Sequence, residues 1–267
     1  MTVPESLLPR PARAGTQAGL ELRGLRKAYG PTLAVADVDL TVPAGSFFGL
    51  VGPNGAGKTT LLSMAVGLLK PDAGDASVLG HWMWQQEGTD RAKEALGVLP
   101  SGLALPGRLT GRELLTYLGL LRGMTAPVVA ARCDELLDVL GLADAGGTMI
   151  ADYSTGMTKK IGLAVAVLHG PRVLVLDEPL EAVDPLSAMT ISAVLRGFTR
   201  RGGTVLMSTH VMALVEQLCD RVAVLARGQV VRSGTLDQVA GQAGLEQAFI
   251  DAVGSGPVER ELSWFAS

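Results

Sequence analysis

The stretch Gly52-Pro-Asn-Gly-Ala-Gly-Lys-Thr-Thr60 follows the apolar run 47–51 and opens a helical pattern. It fits G-x-x-x-x-G-K-[ST] in full and sits between a predicted strand and a predicted helix, the context that gives the pattern its meaning. Glycines let backbone N–H groups turn inward around a β-phosphate. A helix beginning near Lys58 adds its positive N-terminal end. Lys58 is expected to bridge the β- and γ-phosphates, and Thr59 to offer its hydroxyl to Mg²⁺. Gly52, Pro53, Asn54, Gly55, Ala56, Gly57, Lys58, Thr59 and Thr60 are thus the expected residues of a site for a nucleoside triphosphate, read as ATP.

Outward from this loop, short apolar strands alternate with helical stretches. Strands are predicted over 20–25, 33–40 and 47–51, and a helix over 58–69, with Gly67 and Pro71 as stop signals. The middle, roughly 80–151, carries helical segments at 111–122 and 128–140 and little strand pattern. Trp82 and Trp84 are expected to pack within that part. Strands return at 173–177, 204–209 and 221–226, continuous aliphatic runs of the kind buried on both faces of a parallel sheet. An antiparallel finish at 229–234 leads into a polar tail. The expected fold class is α/β: a P-loop NTPase core with an N-terminal antiparallel β subdomain and an inserted helical subdomain at about 101–165. The expected boundaries are a disordered leader over 1–18, one nucleotide-binding domain over 19–235 and a C-terminal tail over 236–267.

Binding alone does not imply hydrolysis. In Leu174-Val-Leu-Asp-Glu-Pro179, Asp177 ends a buried strand and is placed to hold Mg²⁺ through water. Glu178, immediately after it, is the candidate general base for the attacking water.

Composition narrows the alternatives. A 48% hydrophobic and 4% aromatic content suits a globular chain with an aliphatic core. The net charge of −3 and the lack of a basic tract give no footprint for nucleic acid, so no nucleic-acid partner is expected. Mean hydropathy is +0.32, yet the longest uncharged runs are broken by Gly and Pro and fall short of a membrane span. Cys133 and Cys219 read as reduced core residues, and the N-terminus has no secretory pattern, so a cytoplasmic location is expected.

These pieces, in this order, resemble the nucleotide-binding domain of ATP-binding cassette (ABC) proteins over nearly the whole chain after the leader. The resemblance adds roles. Tyr29, in Lys27-Ala-Tyr-Gly30, matches the aromatic that stacks on adenine. His210, in Leu206-Met-Ser-Thr-His210, matches the switch histidine that contacts the γ-phosphate. Asp184, in Ala182-Val-Asp-Pro185, matches the aspartate of the dimer-spanning loop. Ala151-Asp-Tyr-Ser-Thr-Gly-Met-Thr-Lys-Lys160 stands where the family carries Leu-Ser-Gly-Gly-Gln. Ser154 can cap the helix that follows, in which Ile161, Ala164, Val165 and Leu168 recur at helical spacing, and the Gly156 N–H can face a phosphate. Thr155 and Met157 replace a Gly and the Gln. The Tyr-Ser-x-Gly-Met-x-Lys-Lys form resembles ATPase subunits of two-component bacterial exporters, although Lys159 and Lys160 also fit a solvated helix face.

Two positions depart from the family. Ser101, in Gly97-Val-Leu-Pro-Ser101, stands where a metal-contacting Gln is expected and could reach Mg²⁺ only through water. Glu181 occupies the usual serine position before Ala182.

What the resemblance implies is an ATP-hydrolysing subunit, with Glu178, His210 and Lys58 as catalytic residues. It would work as a head-to-tail dimer with a second nucleotide-binding domain and drive transport, most readily export, through a separate transmembrane permease. It would sit on the inner face of the membrane. Rival readings are a soluble cassette ATPase acting on ribosomes or DNA and an importer ATPase. A P-loop GTPase would need an Asn-Lys-x-Asp motif, which is missing.

Overall fold

A computed structural model describes residues 18–85 and 87–254. The three runs that carry the phosphate loop and the acidic residues lie side by side in one sheet: β3 (Phe47–Val51), β7 (Val173–Asp177) and β8 (Thr204–Thr209), with β8 in the middle. β9 (Arg221–Ala226) joins beside β3 and β6 (Leu96–Leu99) beside β7, all parallel. β10 (Gln229–Thr235) closes the β9 edge antiparallel, giving the order β10-β9-β3-β8-β7-β6.

The continuous aliphatic runs follow from burial on both faces. Val173 and Val175 of β7, Leu206 of β8 and Leu50 of β3 enter one hydrophobic cluster. Leu174, Leu176, Val205, Met207 and Val51 enter the other. Each fully buried aliphatic side chain contributes about 1.5–3 kcal/mol relative to exposure, so a strand without a polar face is the stable solution here.

The first cluster is roofed by an antiparallel sheet of β1 (Ala18–Tyr29), β2 (Thr32–Pro43), β4 (Ala73–Val78) and β5 (His81–Trp82), in the order β2-β1-β4-β5, together with α1 (Lys58–Ala65). The second is covered by α3 (Gly111–Leu121), α4 (Ala126–Val139), α5 (Thr155–Val167) and α6 (Pro185–Arg200). α2 (Thr89–Glu94) links the antiparallel sheet to β6, and α7 (Met212–Leu218) precedes β9. The fold class expected from the sequence is the one observed.

Several local expectations differ from the structure. β4, β5 and β6 fall in or beside the part read as poor in strand; they carry Gly, Asp and His and form because neighbouring strands pair with them. Trp82 and Trp84 belong to the antiparallel side and not to the helical insert. Trp84 donates its indole N–H to the Met64 carbonyl of α1 (3.0 Å), and the Arg23 guanidinium lies 4.7 Å over the Trp82 ring. The residues after β10 are not simply a polar tail: α8 (Leu236–Ala240) and α9 (Leu245–Val253) bury Val239, Leu245 and Ala248. A capping box between Thr235 and Gln238 starts α8, a signal present in the sequence. The expected leader lies outside the described residues except for Ala18, which opens β1.

Candidate active site

Parallel strands end together, so whatever follows them shares one rim. In register, Val51 pairs with Thr209 and Asp177 with Ser208, which places the phosphate loop, Glu178 and His210 side by side at the C-terminal edge of β3, β7 and β8.

The loop's shape is set by its glycines. Gly57 has φ 102°, and a Cβ there would stand 2.3 Å from the Ala34 carbonyl oxygen, so only glycine fits. α1 begins immediately after it and leaves its first N–H groups to the loop's concave side. A cleft of about 520 Å³ opens there, lined by Tyr29, Pro53, Asn54, Gly55, Ala56, Gly57, Lys58, Thr59, Thr60, Ser101, Glu178 and Glu181. Another groove, of about 480 Å³ beside β5 and α2, has none of the expected site residues on its wall. Tyr29 is half exposed at the cleft's edge, a ring free to take a stacked partner.

Lys58 is buried and donates to the Gly52 carbonyl (2.6 Å); its ammonium is 3.8 Å from Glu178 Oε1. The same carboxylate oxygen lies 3.1 Å from His210 Nδ1. Glu178 is therefore fixed between a lysine and a histidine on the cleft wall. Its own backbone sits at φ 47°, a conformation a non-glycine residue keeps only where its surroundings over-determine it. Those surroundings include Ser208, fully buried, whose Oγ accepts the Glu178 N–H (3.0 Å) and donates to Asp177 Oδ1. Thr59, Ser101 and Asp177 line an adjoining cavity of about 50 Å³. One buried carboxylate and two hydroxyls form a hard-oxygen set that fits an ion retaining several of its waters, as Mg²⁺ does.

Ser154, Gly156 and Asp184 form a second group that does not line this cleft. Ser154 caps α5, accepting the Met157 N–H (3.2 Å), and Asp184 caps α6, accepting the Ser187 N–H (2.9 Å). That N–H, with the Ser187 hydroxyl, holds the Asp184 carboxyl below its usual range. The two caps pack together: a Cβ on Gly156 would stand 2.6 Å from Asp184 Oδ2 and 2.8 Å from Ser187 Oγ.

One residue of this region escaped the sequence reading, and one alternative given for two others is corrected. Ser208 is a polar residue inside a strand buried on both faces, which is itself a signal. Lys159 and Lys160 are not a solvated face. Lys160 is buried on α5, and Lys159 donates to the Glu178 carbonyl (2.8 Å). Burial pushes the Lys159 ammonium pKa down, opposed by the carboxylates of Glu181, Asp177 and Glu178. Cys133 and Cys219 are free and buried, with the Cys219 thiol pushed up to about 12 by burial. Among the described residues no helix is long and apolar enough to cross a membrane.

Comparison with known proteins places this geometry. The model of the family described as ABC transporter matches residues 35–181. The chain is 36% identical to the daunorubicin/doxorubicin resistance ATP-binding protein of Streptomyces peucetius, over 91% of this chain and 74% of that protein. It is likewise 36% identical to the Nod factor export ATP-binding protein I of Rhizobium leguminosarum bv. viciae, over 84% of this chain and 71% of that one. A solved structure of the ATP-binding subunit of an ABC transporter superposes with a TM-score of 0.79 at 28% identity, covering 87% of this chain and 98% of that one. The phosphate loop, the acidic strand end and the capped helix Thr155–Val167 thus stand in a chain that belongs to the ABC transporter family, as an ATP-binding, ATP-hydrolysing subunit.

Proposed function

We propose that this subunit energises export through a separate transmembrane permease, by closing on a second nucleotide-binding domain around ATP and reopening after hydrolysis. The observation that carries the reading is the separation of the site residues into two groups. The cleft of one chain is lined by Tyr29, the phosphate loop, Ser101 and Glu178, while Ser154, Gly156 and Asp184 lie elsewhere on the same chain. A head-to-tail pair brings the second group of one domain over the cleft of the other. Export rather than import is supported by relatives named for drug resistance and for Nod factor export.

Within the cleft, Tyr29 stacks on the adenine and the N–H groups of the Gly52–Thr60 loop, Pro53 excepted, cradle the phosphates. Lys58 meets the β- and γ-phosphates. Thr59 and Asp177, with Ser101 through water, would hold Mg²⁺, which neutralises charge on the phosphates when bound. Glu178 accepts the proton of the attacking water. His210 orients the Glu178 carboxylate from 3.1 Å and reaches toward the γ-phosphate. The cap geometry at Ser154 and Gly156 offers a hydroxyl and helix N–H groups to the γ-phosphate held by the other domain. The subunit then sits on the inner face of the membrane by way of its permease.

The test is a capture. Glu178→Gln with ATP should hold the dimer closed, and a polytopic membrane protein should copurify in stoichiometric amount from native membranes in mild detergent. Lys58→Ala should lose it. Ribosomes, DNA or no membrane protein at all in the captured material would sink the transporter reading.

A further inference from the structure

Glu178 is held at both ends of its backbone. On one side its N–H is fixed by Ser208 of β8 (3.0 Å). On the other its carbonyl oxygen accepts the Glu181 N–H (3.3 Å) and the ammonium of Lys159 (2.8 Å). The first two contacts come from the sheet and from Glu178's own loop. The third comes from α5, the helix capped by Ser154. A residue at φ 47° returns to ordinary backbone conformations when such restraints are removed, and its side chain turns with it. Here that side chain is the carboxylate lying 3.8 Å from Lys58 and 3.1 Å from His210.

We propose that Lys159 is a positioning residue for hydrolysis: by holding the Glu178 carbonyl it keeps the carboxylate aimed into the cleft, and it ties the Ser154–Gly156 face of a chain to that chain's own cleft. Lys159 touches neither nucleotide nor water in this role. It acts through Glu178, so the inference rests on the reading of Glu178 as the base. The consequence is communication between the two ATP sites of a dimer. ATP held by one domain is met by Ser154 and Gly156 of the other; any shift of α5 that follows reaches Glu178 of that other domain through the Lys159 side chain.

The experiment compares wild type, Lys159→Met, Lys159→Arg and Glu178→Gln in the complex with the permease. It measures steady-state ATPase, equilibrium binding of a fluorescent ATP analogue and thermal unfolding. Lys159→Met should lower kcat about ten- to hundred-fold, the scale on which misplaced catalytic groups lose rate. Its nucleotide Kd and Tm should match wild type, and the Hill coefficient of ATPase against ATP should fall toward one. Lys159→Arg, which keeps a cationic donor within reach of the carbonyl, should recover most of kcat. An inactive Glu178→Gln beside a fully active Lys159→Met would overturn this inference alone. Equal losses of kcat, binding and Tm in both lysine variants would make Lys159 merely structural and overturn it too. Wild-type turnover in Glu178→Gln would bring down the reading of Glu178 itself.

Discussion

Ser208→Ala removes one oxygen from a residue with no exposed surface, and the structure says what that oxygen does. It accepts the Glu178 N–H and donates to the Asp177 carboxylate. A hydrogen bond to a charged group is worth about 1.5–3 kcal/mol, and a buried N–H left without a partner costs about 1–3 kcal/mol. The two share one atom and are not additive, and the tight packing around Ser208 limits how far water can replace them. The expected loss is about 2–4 kcal/mol at neutral pH without nucleotide. With an urea m-value of about 3 kcal/mol/M for a chain of this size, the unfolding midpoint should fall by roughly 1 M at unchanged slope. Turnover should fall as well, because the Glu178 N–H loses its anchor. A midpoint shift worth less than about 0.5 kcal/mol, with the slope unchanged, would refute the claim that Ser208 organises the acidic pair.

Three further outcomes are expected. Gly57→Ala places a Cβ 2.3 Å from the Ala34 carbonyl at φ 102°, so binding of a fluorescent ATP analogue should weaken more than tenfold and stability should drop by about 2 kcal/mol or more. Thr110→Ala breaks the capping box with Glu113 at the start of α3; it should cost about 1 kcal/mol in urea titration and leave ATPase close to wild type. His169, whose pKa burial depresses to about 4, should give the wild type a stability that falls by about 1–2 kcal/mol from pH 7 to pH 5, because the unfolded chain binds that proton first. His169→Gln should flatten that slope, and an equally steep slope in the variant would assign it to other groups.

What could be read ahead of the structure followed the physics of each segment. β3, β7, β8 and β9 are buried on both faces, so their aliphatic runs announce them without help from neighbours. The phosphate loop is legible because its chemistry demands glycine at positions such as Gly57. β4 is not legible: Gly74 and Asp75 break any apolar pattern, and the segment extends because β1 pairs along it. Ser208 and Lys159 act on residues 31 and 19 positions away, through the β7–β8 register and the docking of α5, neither of which a local pattern contains. The split of the site into two groups is likewise a matter of where α5 and α6 settle. The order of motifs alone could not place it.

The two groups are nevertheless joined, through α5 and the segment between β7 and α6. Near its start, Glu178 takes the Lys159 ammonium. At its end, Asp184 and Ser187 pack against Gly156 so closely that a methyl group on Gly156 would force a shift. Between them Ala182 also stands at positive φ, 54°, so the segment is constrained in two places by non-glycine residues that could relax if α5 moved. A helix attached to a catalytic loop at both ends of that loop cannot shift without altering it. Glu181 lies inside the same segment, near Lys159, and takes the place of a serine expected from the family pattern. Its negative charge offsets the half-buried ammonium that the contact with Glu178 requires. On this argument Glu181 and Lys159 are one adaptation: each charge stabilises the other, so Glu181→Ser should lower Tm in the wild-type background and leave it unchanged in Lys159→Met. A double-mutant cycle in unfolding free energy that sums without coupling would separate the two residues.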